Sequence, residues 1–203
     1  MEMKEKTAIV TGAAGTLCSE IAIRLAKEGA FVILIGRTEE KLNQVAQKIL
    51  EEGGQCRVEP GDVTDEKRME EIAAALKEEG KSCDILINGA GGNQNRAVTQ
   101  NTAFTKTELE KENQESINGF FTMDMGVFEN VITVNVLGTV IPSRVFGRQM
   151  AQNKGGSILN FASMNSYLPL SRVPAYAISK AGIVNFTEWL AAYLAPAGIR
   201  VNA

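Results

Sequence analysis

The stretch SMNSYLPLSRVPAYAISK at residues 163–180 closely follows the apolar run SILNF, which predicts a buried strand. It leads into a pattern that predicts a helix from residue 175 to about 194. Tyr176 and Lys180 are four residues apart, so on that helix they lie on the same face. Ser163 stands near the carboxyl end of the strand, where ligands bind in open α/β sheets. A hydroxyl, a phenol and an ammonium can therefore converge, which suits proton transfer to a carbonyl oxygen.

Strand and helix patterns alternate along most of the remaining chain. Strand-type runs lie at 7–10, 31–35, 56–59, 84–88 and 157–161, and helix-type patterns lie at about 13–28, 38–52, 66–79 and 125–152. The alternation predicts right-handed βαβ units in one α/β domain over 1–203, with a doubly wound parallel sheet in a three-layer α/β/α Rossmann arrangement. A further strand pattern begins at 198–203, so we expect the sheet to be incomplete at its carboxyl-terminal edge.

One segment interrupts this alternation, at about 91–122. It is rich in Asn, Gln, Thr and Glu and has few apolar residues. The one regular pattern within it predicts a short helix near 106–114. Such a length is unusual for a connection in a compact domain. Two interpretations stay open: a solvated excursion, or a functional segment that leaves the end of a central strand beside a ligand crevice.

Composition excludes several classes of function. Hydrophobic residues make up 44% and charged residues 22% of 203 residues, and the net charge is −3. Lys and Arg are dispersed, which argues against nucleic acid as the main partner. No apolar run approaches the length of about 18 residues that a membrane span needs, and the amino terminus lacks a signal-peptide pattern. We therefore expect a cytoplasmic protein without a membrane partner.

Histidine is absent and the three cysteines are far apart. The lack of histidine excludes Ser-His-Asp triads, Cys-His pairs and histidine-based metal sites. Cys18, Cys56 and Cys83 show no CxxC pairing, so no metal site and no disulfide framework is predicted, and we expect them to be small core residues. A general acid must then come from Tyr, Lys, Asp, Glu or Cys.

The turn TGAAGTLC at 11–18 lies between the first strand and the first helix. Gly12 permits a tight turn, and Gly15, Thr16 and Leu17 continue it into the helix. The amino terminus of that helix supplies free N–H groups and the positive end of its dipole. These features predict a pyrophosphate site, although a plain glycine turn is the alternative for this motif alone.

An isolated YxxxK pair is more typical of an ordinary amphipathic helix, but here Asn135 and Ser163 accompany it. Asn135, Ser163, Tyr176 and Lys180 match the catalytic tetrad of the short-chain dehydrogenase/reductase family in order and spacing, and the chain resembles that family over essentially its whole length. The segments TGAAGTLCSE, LINGAGGN and 163–191 most resemble the branch of mannonate oxidoreductases and fructuronate reductases, near the gluconate 5-dehydrogenases.

Two details depart from the ordinary family pattern TGxxxGxG, which would place glycines at 16 and 18. Thr16 and Cys18 stand there instead, and the position of Gly15 also resembles the TGxxGxxG of extended members. The sequence NGAGG at 88–92 and the short interval from Ser163 to the tyrosine favour the ordinary type.

The resemblance implies hydride transfer between a nicotinamide cofactor and a carbonyl or secondary alcohol. Tyr176 is then the proton donor and acceptor, and Lys180 favours its ionised form and binds the nicotinamide ribose. Ser163 holds the substrate oxygen. Asn135 holds a water that relays protons to the lysine, or alternatively only distorts its helix.

The resemblance also assigns the nucleotide contacts. Arg37 follows the second strand where NAD-specific members carry an aspartate, so NADP(H) is predicted, with NAD(H) as the alternative because the glycine turn lacks a basic residue. Asp62 and Val63 are expected at the adenine. The predicted contacts on the ribose side are Asn88, Ala90 and Gly91.

A keto sugar acid or polyol is the substrate that the branch implies. Arg96 could pair with its carboxylate, or be a scattered surface arginine, and Asn165 could reach its hydroxyls. A 3-oxoacyl or steroid-like ketone and a non-catalytic nucleotide-binding module are the alternatives. Family members pair through the helix at 125–152 and the helix that carries Tyr176, so a homo-oligomer, a dimer or tetramer, is expected. The chain is also expected to be a truncated family member.

Overall fold

The structure is a computed structural model that describes residues 3–110, 116–153, 155–168 and 170–203. Its six strands form one parallel sheet in the order β3-β2-β1-β4-β5-β6. The strands are β1 Thr7–Thr11, β2 Phe31–Gly36, β3 Gln55–Pro60, β4 Ile85–Asn88, β5 Gly156–Asn160 and β6 Ile199–Asn202. This order reverses direction between β1 and β4, the point at which doubly wound sheets open a crevice for ligands. The predicted fold class is confirmed.

Five α-helices connect the strands in the part of the chain that the structure describes. They are α1 Thr16–Lys27, α2 Glu39–Glu51, α3 Glu66–Glu78, α4 Met125–Gln152 and α5 Pro174–Leu194. The Asp65 and Asp124 carboxylates cap α3 and α4 by accepting backbone N–H groups of their first turns. The predicted bounds of these five helices agree with the structure to within a few residues.

The core consists of two apolar layers, one on each face of the sheet. Alternate residues of β1 and β2 supply each layer, because successive side chains of a strand point to opposite faces. Ile9 and Ile33 belong to the layer under α3, α4 and α5, whereas Val10 and Leu34 belong to the layer under α1 and α2. Both faces of the sheet are thereby covered by helices, as the continuous apolar strand FVILI predicts.

The connection between β4 and α4 contains little regular structure. The described residues include two 3-10 helices, Asn95–Ala97 and Lys106–Leu109. The second replaces the first part of the predicted helix near 106–114, and its remainder falls at 111–115, outside the described residues. Within the described chain, α4 is the one helix long and apolar enough to span a membrane, and it packs against α3, α5 and the sheet.

Candidate active site

The glycine turn between β1 and α1 brings the backbone close to the loop after β4. Gly12 has a φ of 63°, and a Cβ there would lie 2.7 Å from the carbonyl oxygen of Gly89 and 2.8 Å from the Cα of Ala90. Gly15 is the N-cap of α1, whose first turn holds no acidic side chain. The N–H groups at this helix end therefore remain available to an anion.

Thr11 fixes the loop after β4 from the neighbouring strand. Its Oγ1 accepts hydrogen bonds from the N–H groups of Gly89 at 3.1 Å and Ala90 at 3.2 Å. The same hydroxyl donates to the carbonyl oxygen of Ile87 at 3.4 Å. The last residue of β1 thus aligns the two chain segments that flank the crevice.

Asn135 holds the next part of this loop from α4. Its Oδ1 accepts from Gly92 N–H at 3.0 Å, and its Nδ2 donates to the Gly92 and Val131 carbonyl oxygens, each at 2.7 Å. Gly91 has a φ of 141° and Gly92 of 148°, which side chains rarely adopt, and a Cβ at Gly91 would overlap the Asn135 amide. The fully buried amide of Asn135 therefore determines the course of the loop.

A cleft of about 330 Å³ lies on the β2 side of the glycine turn, and we call it the Arg37 cleft. Gly12, Gly15, Arg37 and the pair Asp62–Val63 are among its lining residues. Burial raises the pKa of the Asp62 carboxyl, but hydrogen bonds from the Thr64 N–H and hydroxyl and the charge of Arg37 outweigh it, so that pKa is lowered. Asp62 is thus an anion that faces the same space as the arginine.

A second cleft of about 310 Å³ lies on the other side of the turn, and we call it the Lys180 cleft. It shares with the Arg37 cleft the glycines at 12, 15, 89, 91 and 92, so the two are continuous. Thr16, Leu17, Tyr176 and Lys180 also line it. A dinucleotide laid across the glycine turn can therefore extend from Arg37 at one end to Tyr176 at the other.

The predicted pairing of Tyr176 and Lys180 is present in this cleft. Lys180 Nζ lies 5.6 Å from the centroid of the Tyr176 ring and donates to the carbonyl oxygen of Phe161 at 2.6 Å. Burial lowers the pKa of Lys180 to about 8, although a negative charge on Cys18 would raise it. Burial likewise raises the pKa of the Cys18 thiol, and the charge of Lys180 lowers it. The ammonium is thus poorly hydrated and fixed by one hydrogen bond.

Ser163 and Asn165 belong to a turn that is attached to α5. The Ser163 Oγ accepts from Asn165 N–H at 3.2 Å, and its own N–H donates to Ser166 Oγ at 3.3 Å. The Ser166 hydroxyl in turn donates to the Lys180 carbonyl oxygen at 2.8 Å. The Asn165 Oδ1 accepts from Leu170 N–H at 3.1 Å. The serine turn is therefore held against the turn of α5 that carries the lysine.

The residues that line the two clefts do not include five of the predicted site residues: Asn88, Arg96, Asn135, Ser163 and Asn165. Asn88 lines neither cleft, because its Nδ2 donates to Ser143 Oγ at 2.8 Å and Asn160 Oδ1 at 2.9 Å inside the core. Its neighbours Ala90 and Gly91 do line the Arg37 cleft. Arg96 also lines neither cleft, and its exposed guanidinium pairs with the Asp124 carboxylate at 2.9 Å.

Cys18 is one of the lining residues that the sequence analysis missed. It is buried, as expected, but it lines the Lys180 cleft. A Cβ on Gly89 would overlap its sulfur atom. The signal was present in the sequence: Cys18 stands where the ordinary family pattern has glycine, and Gly89 stands where the NNAG motif has asparagine. The side chain present at one position thus fills the space left at the other.

A doubly wound sheet with a glycine turn at its switch point, next to a tyrosine and a buried lysine, defines the class of nucleotide-dependent oxidoreductases. Comparison with known families makes this more specific, because the profile described as short chain dehydrogenase matches residues 6–203. The chain belongs to the short-chain dehydrogenase family, and it is an NAD(P)-dependent oxidoreductase.

Individual relatives cover almost the whole chain. An uncharacterized oxidoreductase from Haemophilus influenzae is 38% identical over 201 residues, which are 99% of this chain and 69% of the relative. A galactitol 2-dehydrogenase from Rhizobium johnstonii is 35% identical over 201 residues, 97% of this chain and 68% of the relative.

Solved structures agree with this fold. A provisionally named D-mannonate oxidoreductase from Haemophilus, with bound NAD, superposes with a TM-score of 0.91 at 38% identity, covering 98% of this chain and 70% of its own. A metagenomic short-chain oxidoreductase in complex with NADP has a TM-score of 0.83 at 26% identity, covering 99% of this chain and 81% of its own.

Proposed function

We propose that this protein transfers hydride between a nicotinamide cofactor and a sugar-type carbonyl or secondary alcohol, with Tyr176 as the proton donor and acceptor. One observation carries the assignment: the Tyr176 ring and Lys180 Nζ lie 5.6 Å apart in a cleft that begins at the glycine turn. The nicotinamide, when bound, supplies the hydride chemistry. The chain supplies the proton and the orientation of the reactants.

Each polar residue has a role that its contacts allow. The Lys180 ammonium has three donors and uses one on the Phe161 carbonyl oxygen, so the others can bind ribose hydroxyls. The Ser163 Oγ accepts from a backbone N–H, which leaves its proton to donate to the substrate oxygen. Asn135 uses both amide hydrogens on backbone carbonyls, so we assign it to holding the Gly92 loop. The water relay implied by the resemblance stays a prediction.

The substitution Tyr176→Phe tests this assignment. It removes the phenolic proton and keeps the ring, so turnover should fall roughly 10²–10⁴-fold, as expected for loss of a general acid. Binding of NAD⁺ or NADP⁺, measured by calorimetry, should stay nearly unchanged. Tyr193→Phe, at an exposed position of the same helix, is the matched control. Turnover of Tyr176→Phe at the wild-type rate would refute the role.

For the cofactor we propose NADP(H), with NAD(H) as the second candidate. Arg37 is an exposed cation in the Arg37 cleft and can pair with a 2′-phosphate. The NAD bound to the 38% identical structural neighbour supports the second candidate. Arg37→Ala should lower kcat/KM with NADPH and leave kcat/KM with NADH nearly unchanged. An NADH turnover about tenfold above that of NADPH in the wild-type protein would overturn the preference.

The names of two relatives support a keto sugar acid or a polyol as substrate, because one is a D-mannonate oxidoreductase by provisional name and another a galactitol 2-dehydrogenase. A panel of hexuronates, aldonates and alditols, assayed with both cofactors, tests this proposal. Turnover confined to 3-oxoacyl thioesters or steroid ketones would favour the alternative substrate class.

We further propose that copies of this chain associate through α5. The Trp189 and Tyr193 rings are 56% and 67% exposed and stack with centroids 5.0 Å apart, and Trp189 also stacks on Phe186. Exposed aromatic faces of this kind are typical of subunit interfaces. Light scattering should show a dimer or tetramer that Trp189→Glu dissociates. A wild-type monomer at micromolar concentration would contradict the proposal.

A further inference from the structure

Arg172 has an unusual backbone conformation immediately before the helix that carries Tyr176. Its φ is 79°, in the left-handed region that side chains other than glycine seldom adopt. Val173 follows as the N-cap of α5 and Pro174 as its first residue. Because proline restricts both its own φ and the conformation of the preceding residue, the geometry of Arg172 is passed on to the first turn of α5. A strained residue of this kind persists only where surrounding contacts hold it.

The contact that holds Arg172 comes from the segment between β4 and α4. The Thr99 N–H donates to the Arg172 carbonyl oxygen at 2.8 Å. In return, Arg172 Nε donates to the Thr99 carbonyl oxygen at 2.7 Å. These two reciprocal hydrogen bonds, which we call the Thr99–Arg172 clamp, join positions 73 residues apart in the chain. They involve only the backbone of Thr99, but both the carbonyl oxygen and the side chain of Arg172.

Packing next to the clamp reaches Tyr176 itself. Ala97 is fully buried in a small cluster with Val131 and Ala175, and the Tyr176 ring packs against that cluster. Asn118, near the other end of the same segment, donates from Nδ2 to the carbonyl oxygen of Val98 at 2.6 Å and of Arg96 at 3.1 Å. The segment at 95–99 is therefore itself held in place where it contacts α5.

From these contacts we propose that Arg172 is a positioning residue, which fixes the start of α5 through the Thr99–Arg172 clamp and so holds the Tyr176 ring in place beside Lys180. The proposal rests on the proposed function of Tyr176. It gives the segment at about 91–122 a specific role, because the first residues of that segment brace the helix that carries the proton donor. Arg172 lines neither cleft of the candidate site, so it acts on the position of Tyr176 and not on a bound ligand.

The substitution Arg172→Gly separates the clamp from the backbone strain. Glycine adopts the left-handed conformation freely but lacks the Nε donor, so the clamp loses one of its two hydrogen bonds. Arg172→Lys keeps the positive charge, lacks the planar Nε–H and retains the backbone cost. Thr99→Ala is the matched control, because it keeps the N–H and carbonyl oxygen that form the clamp and removes only the bond from the Thr99 hydroxyl to the Asn101 carbonyl oxygen.

Hydrogen exchange of the full chain is the deciding measurement. Ala177 N–H, which donates to the Val173 carbonyl oxygen at 2.9 Å, and Thr99 N–H should exchange about tenfold faster in both Arg172 variants and at nearly the wild-type rate in Thr99→Ala. With D-fructuronate as probe and the preferred cofactor, kcat should fall about tenfold in both Arg172 variants, whereas the Kd of the oxidised cofactor should change less than about twofold.

Two results would overturn the clamp: wild-type exchange at both amides in Arg172→Gly, or equally fast exchange in Thr99→Ala. Failure of the proposed function has a different signature. If Tyr176→Phe retains turnover, the role of the tyrosine is wrong, whereas the exchange data still decide whether the clamp orders the start of α5.

Discussion

The two continuous clefts differ in what they are made of. The Arg37 cleft is lined largely by glycines and by backbone, and its shape depends on side chains being absent. The Lys180 cleft ends in buried side chains that are held by hydrogen bonds from distant segments, such as the bond from Lys180 Nζ to the Phe161 carbonyl oxygen. An anion site thus needs backbone N–H groups that no side chain covers, whereas proton transfer needs side-chain groups that packing holds in a fixed position.

The largest effect should follow from filling the backbone cradle. Gly12→Ala places a Cβ 2.7–2.8 Å from the backbone of Gly89 and Ala90, at a position with positive φ. Because backbone cannot swing aside as a flexible side chain can, the two loops must separate. Cofactor affinity should fall at least ~100-fold, as expected when several anion contacts are lost together, and calorimetric titration with NAD⁺ and NADP⁺ measures it.

Gly53→Ala is the matched control for that experiment. Gly53 has a φ of 78°, but a Cβ there would meet nothing within 4 Å. It should therefore lower the free energy of unfolding by only about 1 kcal/mol, the cost of a left-handed alanine, with unchanged cofactor affinity. Equal cofactor affinities in Gly12→Ala and Gly53→Ala would show that the close approach at Gly12 is unimportant.

Lys180→Met tests the role of a buried side chain in the Lys180 cleft. Turnover should be lost, yet the protein without cofactor should be stabilised at pH 7 by about 1–3 kcal/mol, because burial of the ammonium opposes folding. Chemical denaturation with and without cofactor measures both effects. A destabilised Lys180→Met would show that the bond to the Phe161 carbonyl oxygen outweighs the cost of burial.

The same lysine gives a pH dependence with a definite sign. Its folded-state pKa of about 8 lies below the ordinary 10.5, so between these values the unfolded chain binds more protons at this site than the folded one. Lys180 therefore contributes a rise in the free energy of unfolding as pH increases through that window, of up to about 3 kcal/mol. The difference between wild type and Lys180→Met, taken from pH 7 to 10.5, cancels the opposing contributions of Cys56 and Cys83. Because the Cys18 thiol is coupled to Lys180, both proteins carry Cys18→Ala in this comparison. A pH-independent difference would contradict the lowered pKa.

The smallest effect, a change in the free energy of unfolding, should come from the contacting pair Gly89 and Cys18. Gly89→Ala brings a Cβ onto the Cys18 sulfur, and Cys18→Gly removes that sulfur. The single variant Gly89→Ala should be destabilised, and the double variant should recover about 1–2 kcal/mol of this loss, as contacting residues do in double-mutant cycles. Additive free energies of unfolding would show that Cys18 moves aside without cost.

Periodicity predicted the elements of the fold well, and local motifs predicted the glycine turn. The strands at β1 and β2 are continuous apolar runs, and α4 has the predicted ends, because burial on a repeating face leaves a pattern in the sequence. The helix near 106–114 was predicted less well. A 3-10 turn covers its first residues, since few apolar positions there reward a regular helix.

The side chains of the site were harder to place from sequence. Asn88 turns into the core because Ser143 and Asn160 offer it partners from α4 and β5. Arg96 is drawn to the Asp124 carboxylate rather than into a cleft. Arg172 showed no signal at all, because its importance lies in a φ angle and in a contact with Thr99. Each of these partners is distant in the chain, so no local pattern encodes it.

The sequence by itself determined the doubly wound sheet, the glycine turn and the pairing of Tyr176 with Lys180, because all three follow from short-range periodicity and backbone freedom. Only the tertiary structure decided that Cys18 lines the Lys180 cleft, that Asn135 holds the Gly92 loop, and that the 95–99 segment braces the start of α5. The physical reason is that these relations are hydrogen bonds and contacts between segments dozens of residues apart, which exist only once the chain has folded.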